Sequence, residues 1–141
     1  MGSFFKQDRT DKGKLYIIKT KFREEEDWVY KIGVTTKDQP IDRLLEILRS
    51  HFMINRYIPE CTIKRFKTVT RVYNKETKMH KYFKEYQYIP ERKFQGSTEY
   101  FKVEEELLLQ VYKDCTEGID INSEEYQVEL LEDRPEEDRK E

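Results

Sequence analysis

Two short β-rich runs near the N-terminus constrain this chain more than anything else in it. Leu15-Tyr16-Ile17-Ile18 is apolar, and Trp28 to Thr36 alternates, with Tyr30, Ile32 and Val34 set against Val29, Lys31 and Gly33. Period-two alternation sends successive side chains to opposite faces of a half-buried strand. The seven residues between, Lys21 to Asp27, are too charged for a strand interior. The two runs therefore predict an antiparallel hairpin with an exposed connection.

Helical signals follow. Asp38, with Pro40 in the first turn, opens a helix in which Ile41, Leu44, Leu45, Leu48 and Phe52 keep the 3.6-residue period, and it ends before Pro59. Cys61 to Val69 reads as a weaker strand, because Ile63 and Phe66 break strict alternation. A second helix is expected from about Tyr73 to Tyr86 and a third from about Glu104 to Cys115. The third has three glutamates in its first turn, a stripe of Leu107, Leu108, Val111 and Tyr112, and Gly118 as a stop. The order read from periodicity is β-β-α-β-α-α.

The 141 residues are the size of one domain, expected over residues 14–116. Charged residues make up 40% of the chain against 36% apolar, so the core must be compact and drawn from Leu, Ile, Val and the aromatics. No run approaches the roughly 18 apolar residues of a membrane span, and no N-terminal signal is present, which predicts a soluble protein of the cytoplasm. Cys61 and Cys115 are isolated, as suits a reducing compartment.

The net charge of −2 hides a split. Residues 1–116 carry 24 Lys or Arg against 18 Asp or Glu, whereas residues 117–141 carry 3 against 11. The latter read as an acidic C-terminal tail, expected to be disordered from Glu132 and able to engage a protein partner. Basic residues concentrate at Lys64, Arg65, Lys67, Arg71, Lys75, Lys78, Lys81, Lys84, Arg92 and Lys93, interleaved with Tyr73, Tyr82, Tyr86 and Tyr88. Cations beside rings combine phosphate contact with stacking, so this stretch is the expected nucleic-acid-binding surface; the plainer alternative is a solvated Lys-rich face.

On the second helix Glu76 and His80 are four residues apart and share a side with Val72, Met79 and Phe83. A carboxylate bordering the core among lysines suits a hard divalent cation. The ordinary alternative is a surface Glu and a His satisfied by a backbone carbonyl. Zinc is a weaker idea: His51, His80, Cys61 and Cys115 contain no close-spaced ligand pair.

Taken in order, Leu15-Tyr16-Ile17, Lys31-Ile32-Gly33-Val34-Thr35, Arg43-Leu44, Glu76 with His80 and Phe83, then Gly96 and Glu99-Tyr100-Phe101 resemble one superfamily. They look like the GIY-YIG nucleases, and in particular the phage open-reading-frame-172 type, also called the meiotically up-regulated type. That type has a K-I-G-V-T strand, an R-L helix, an E-x-x-x-H-x-x-F helix and a closing G-x-x-E-[WY]-F.

The resemblance implies a small α/β (α+β) domain with a three-stranded antiparallel sheet flanked by helices, in agreement with the β-β-α-β-α-α order, and a metal-dependent endonuclease cleaving DNA phosphodiester bonds with one Mg²⁺ or Mn²⁺. By motif position Tyr16 would help activate water, Arg43 would steady the phosphate and Glu76 would hold the metal, with His80 buttressing Glu76 or touching phosphate. The superfamily's second tyrosine is replaced by Lys31, which either takes over a phosphate contact or alters the chemistry. Tyr30 points to the opposite strand face. The ten residues from Gly33 to Arg43 make a slightly long gap, with Lys37 to Pro40 as extra loop. Two other readings stand beside the nuclease: a catalytically silent nucleic-acid-binding module, and a small phage-type interaction protein using its acidic tail and aromatic surface.

Overall fold

The structure is a computed structural model and describes residues 12–121. The hairpin forms: β1 (Lys12–Lys21) pairs antiparallel with β2 (Val29–Thr35), placing Tyr16 opposite Gly33 and Ile18 opposite Lys31. In the charged connection Arg23, Glu24, Glu26 and Asp27 are exposed, Glu25 is half-buried and Lys21 still belongs to β1, whereas Phe22 is fully buried and meets the rings of His51 and Tyr100 at 5.4 and 5.2 Å.

Helix α1 (Pro40–Asn55) follows, with Pro40 in its first turn and Arg56 ending it in the left-handed conformation. Its buried face is Leu44, Ile47 and His51. The expected stripe is therefore corrected: Ile41, Leu45 and Phe52 point outward, 49%, 45% and 42% exposed. Apolar residues on this helix fill an arc wider than the sheet can cover, and periodicity alone does not say which part of the arc turns inward.

Strand β3 (Glu60–Thr70) pairs with the other edge of β1. Ile17 lies opposite Arg65 but Ile18 opposite Ile63, so Lys64 is the extra residue of a β-bulge. The bulge reverses the strand's parity, and Ile63 and Phe66 end on one face, packed against the cluster that holds Ile18 and Tyr16. The broken alternation in the sequence is this bulge.

Helix α2 (Val72–Tyr82) stops earlier than expected, and a single 3₁₀ turn occupies Lys84–Tyr86. Strand β4 (Gln87–Tyr88), a 3₁₀ turn at Ser97–Glu99 and β5 (Tyr100–Phe101) complete the sheet. Among the described residues the sheet has five strands in the order β3-β1-β2-β5-β4, all antiparallel, rather than the three expected. At two residues each, β4 and β5 are too short to show any periodicity.

Leu44 and Ile47 of α1 join Tyr16, Ile18, Phe22, Val29, Phe94 and Tyr100 in one apolar cluster on the first face of the sheet. Helix α2 packs on β1 and β2 and buries Val72 and Met79. The chain divides into two compact units, Met1–Val103 and Glu104–Glu141. In the second, α3 (Glu105–Thr116) has two glutamates in its first turn, buries Leu108, Val111, Tyr112 and Cys115, and is followed by Gly118 at a φ of 88°. Most of the acidic tail, including the disorder expected from Glu132, lies outside the described residues.

Candidate active site at the open edge of the second strand

Because β5 is so short, it pairs only with Tyr30 and Lys31 of β2. Beyond Lys31 this edge of β2 is taken up by a side chain of α2: His80 Nε2 donates to the Ile32 carbonyl at 2.7 Å. A carbonyl can only accept, so Nε2 carries the hydrogen. One helical turn earlier sits Glu76, its Oε2 3.9 Å from that nitrogen. His80 thus finds the backbone carbonyl of the ordinary reading, and in doing so docks Glu76 beside the edge of β2.

Tyr16 reaches the same place from β1. Its ring lies across Gly33, where any Cβ would overlap the phenol hydroxyl and ring. Glycine is needed there for clearance, since its φ is unexceptional. Arg43 of α1 donates from Nε to the Tyr16 hydroxyl oxygen at 3.1 Å and from Nη1 to Glu46 at 3.0 Å. Burial works against the Arg43 charge, but Tyr16 and Glu46 outweigh it and raise its pKa. Glu46 is held low by Arg43 and by Lys37, 3.1 Å away. The longer loop before α1 is thereby tied to the helix, and Arg43 still meets Tyr16.

Lys31 is fully buried, so it offers no phosphate contact of its own. Its ammonium is paired with Glu99 and lies 5.5 Å from the Tyr16 ring centre and 5.8 Å from that of Tyr100. Gly96 makes room for it: φ there is 82°, and a Cβ would stand 2.8 Å from Lys31 Nζ. Glu99 is a site residue that sequence reasoning missed as such. The signal was present in the closing G-x-x-E-Y-F, whose Gly clears the Lys31 ammonium, whose Glu pairs with it and whose Tyr flanks it.

Glu76 completes the constellation. Its pKa is pushed up to about 7, first by burial and then by the nearby charge of Glu99, with Lys31 and Arg43 opposing. Tyr16, Lys31, Arg43, Glu76 and Glu99 are therefore electrostatically one group. Among the described residues no set of three or more His, Cys, Asp or Glu converges as a ready-made metal cage. A hard cation such as Mg²⁺ keeps several waters and needs only one or two carboxylates, so a half-buried carboxyl that ionises with difficulty on its own fits one.

The ten basic residues do not form one face. Arg65 and Lys67 are exposed on β3, with Lys64 in the bulge; Arg71 is left-handed at the start of α2; and the Lys75 ammonium donates to the Thr70 carbonyl. Lys78 and Lys81 are exposed on α2 and Lys84 on the turn after it. Arg92 instead donates to Ile54 at the end of α1, and Lys93 is exposed beside it in sequence.

Residues 13–116 match the family described as the T5orf172 domain. The chain belongs to that family. No curated protein and no solved structure matches it. The T5orf172 domain is the phage open-reading-frame-172 type within the GIY-YIG nuclease context, and it marks this chain as a nuclease-like or DNA-binding module. No helix among the described residues is long and apolar enough to cross a membrane. Each motif of this T5orf172 domain has a local structural role. The K-I-G strand supplies Lys31 and the clearance over Gly33, the E-x-x-x-H helix fastens itself to that strand, and the closing motif holds Lys31.

Proposed function

We propose that this T5orf172 domain is a divalent-cation-dependent endonuclease that hydrolyses DNA phosphodiester bonds. The observation that carries the proposal is the meeting of a phenol hydroxyl, a guanidinium and a half-buried carboxyl at the open edge of β2, contributed by a strand and two helices that lie far apart in sequence.

Phosphodiester hydrolysis adds water to phosphorus and breaks one P–O bond, leaving a phosphomonoester and a hydroxyl. The attacking water must lose a proton, and charge builds on the phosphoryl oxygens. Arg43 keeps its charge throughout and has hydrogen-bonding capacity beyond Tyr16 and Glu46, which suits it to a phosphoryl oxygen. The Tyr16 oxygen accepts from Arg43, so its own hydrogen is directed elsewhere and can exchange with a water. Glu76, with its neighbour Glu99, would hold Mg²⁺ or Mn²⁺, which when bound polarises the phosphoryl group and acidifies water. Lys31 acts through Glu99 and the Tyr16 ring, as a positioning residue.

The test is incubation of the purified chain with supercoiled, linear and branched DNA, with and without Mg²⁺ or Mn²⁺. Cation-dependent cleavage is expected from wild type, and Glu76→Gln should lose it while still binding DNA, because the amide keeps the shape but not the charge. Unchanged cleavage in that variant removes Glu76 from the mechanism. A second reading, a catalytically silent nucleic-acid-binding module, is favoured by one feature: the position of the superfamily's second tyrosine holds a buried, paired ammonium and offers no second hydroxyl. DNA binding without cleavage under either cation would select it. The interaction-protein reading rests on the acidic tail, most of which lies outside the described residues.

A further inference from the structure

Beside Glu76, on the side of α2 turned away from Val72 and Met79, the surface opens into a cleft of about 440 Å³ lined by Thr77, His80, Lys81, Lys84, Gln87, Thr98 and Phe101. The first four come from α2 and the turn that follows it, the others from β4, β5 and the 3₁₀ turn between them. In a chain with 29 acidic residues, no carboxylate among the described residues lines this cleft. Its walls offer two ammoniums, two hydroxyls, an imidazole and a side-chain amide, and Phe101 lies buried beneath them.

The arrangement has some built-in order. Gln87 Nε2 donates to the Thr98 carbonyl at 2.8 Å, tying β4 to the 3₁₀ turn on the side facing α2. The His80 ring stands 5.2 Å from Phe101 and is fixed by its bond to Ile32. Lys81 and Lys84 are exposed and fall on the cleft side of the helix axis, whereas Lys75 and Lys78 fall on other sides. Donors and cations with no acidic group among them match a ligand that has several acceptor oxygens.

We propose that this cleft is a subsite for one backbone phosphate of a nucleic-acid strand. It rests on the reading of the Glu76 site as the place where the strand is cut, and extends that reading by seating a neighbouring nucleotide. The position of Thr77 next to Glu76, and of His80 between Glu76 and Phe101, puts the subsite one step along the strand from the reacting phosphate.

The test is binding of a labelled oligonucleotide to the full chain in EDTA, so that no cutting is needed, at about 50 mM and about 200 mM salt. Paired Lys81→Ala and Lys84→Ala substitutions should weaken binding about 10-fold at the lower salt, and lower the slope of log K against log salt by roughly 1.4–1.8. Paired Lys67→Ala and Lys78→Ala substitutions remove the same charge from outside the cleft and should cost less than about 3-fold. Paired Thr77→Val and Thr98→Val substitutions, which leave charge and size alone, should weaken binding about 3-fold or more with no change in slope. Equal losses from the two lysine pairs would mean a diffuse basic surface and would overturn the subsite. So would threonine variants that bind like wild type. Inorganic phosphate that displaces the oligonucleotide at equal phosphate concentration would mark a free-phosphate site instead and overturn the assignment to a strand. A wild-type chain that binds through the cleft yet cuts nothing upholds the subsite and removes the nuclease reading. A Lys81→Ala, Lys84→Ala variant that cuts with unchanged KM does the reverse.

Discussion

Single residues here have roles that their types alone would not announce. Gly33 is one: an added methyl would collide with the Tyr16 hydroxyl, the atom that Arg43 binds. Gly33→Ala is expected to cost about 1–3 kcal/mol by overpacking, measurable by denaturant titration. Cleavage should fall by about 100-fold or more, because Tyr16 must move and small misplacements of reacting groups are expensive. Glu76 is another. Its folded pKa of about 7 lies above the ordinary 4.5, so the folded chain holds a proton that the unfolded chain releases. Folding is then helped by low pH: the penalty is absent below the unfolded value, accumulates as pH rises between the two, and is complete above the folded one. Glu76→Gln should therefore raise the Tm of the cation-free chain by about 5 °C near pH 8, and leave it nearly unchanged near pH 5. A variant no more stable than wild type near pH 8 would show that Glu76 ionises freely.

Elements differ in how openly the sequence declares them. The hairpin was legible because ten or so residues alternate, and α3 because a full apolar stripe has acidic residues at one end and Gly118 at the other. β4 and β5 were not, since two residues carry no period, and without β5 there was no reason to place Glu99 beside Lys31. The bulge at Lys64 was visible only as a disturbance of β3, because its meaning depends on which β1 residue each side chain faces. On α1 the helix was plain but its inward face was not, for Ile41 and Leu45 are as apolar as the Leu44 and Ile47 that pack. The turn before β5 is joined to β2 mainly through the Lys31–Glu99 pair. Glu99→Gln strands a buried ammonium and should destabilise the chain by about 3 kcal/mol in urea titrations, whereas Lys31→Met combined with Glu99→Gln should recover most of the loss. Equal destabilisation in the single and double variants would show that packing of the side chains, and not their charge pairing, fastens the turn.

At the scale of the whole molecule, the residues of the candidate site are spread over most of the first compact unit, from Tyr16 on β1 to Glu99 before β5. The family motifs made Tyr16, Arg43 and Glu76 readable as a set, although nothing in their spacing brings them together. What brings them together is the short fifth strand, which leaves β2 an open edge for α2, and the clearance over Gly33, which lets Tyr16 lie there. The basic stretch was readable as charge, but folding divides it between β3, α2 and the end of α1, so charge density along the chain overstates the surface it makes. The proposed function requires Tyr16, Arg43 and Glu76 to act as one catalytic site. The most direct measurement is the rate of plasmid cleavage with Mg²⁺ or Mn²⁺ for wild type, Tyr16→Phe, Glu76→Gln and the double variant. Groups that act as a unit are not additive, so the double variant should be no slower than the slower single one, with both singles reduced by about 100-fold or more. Single variants that cut like wild type, or losses that multiply in the double variant, would contradict it.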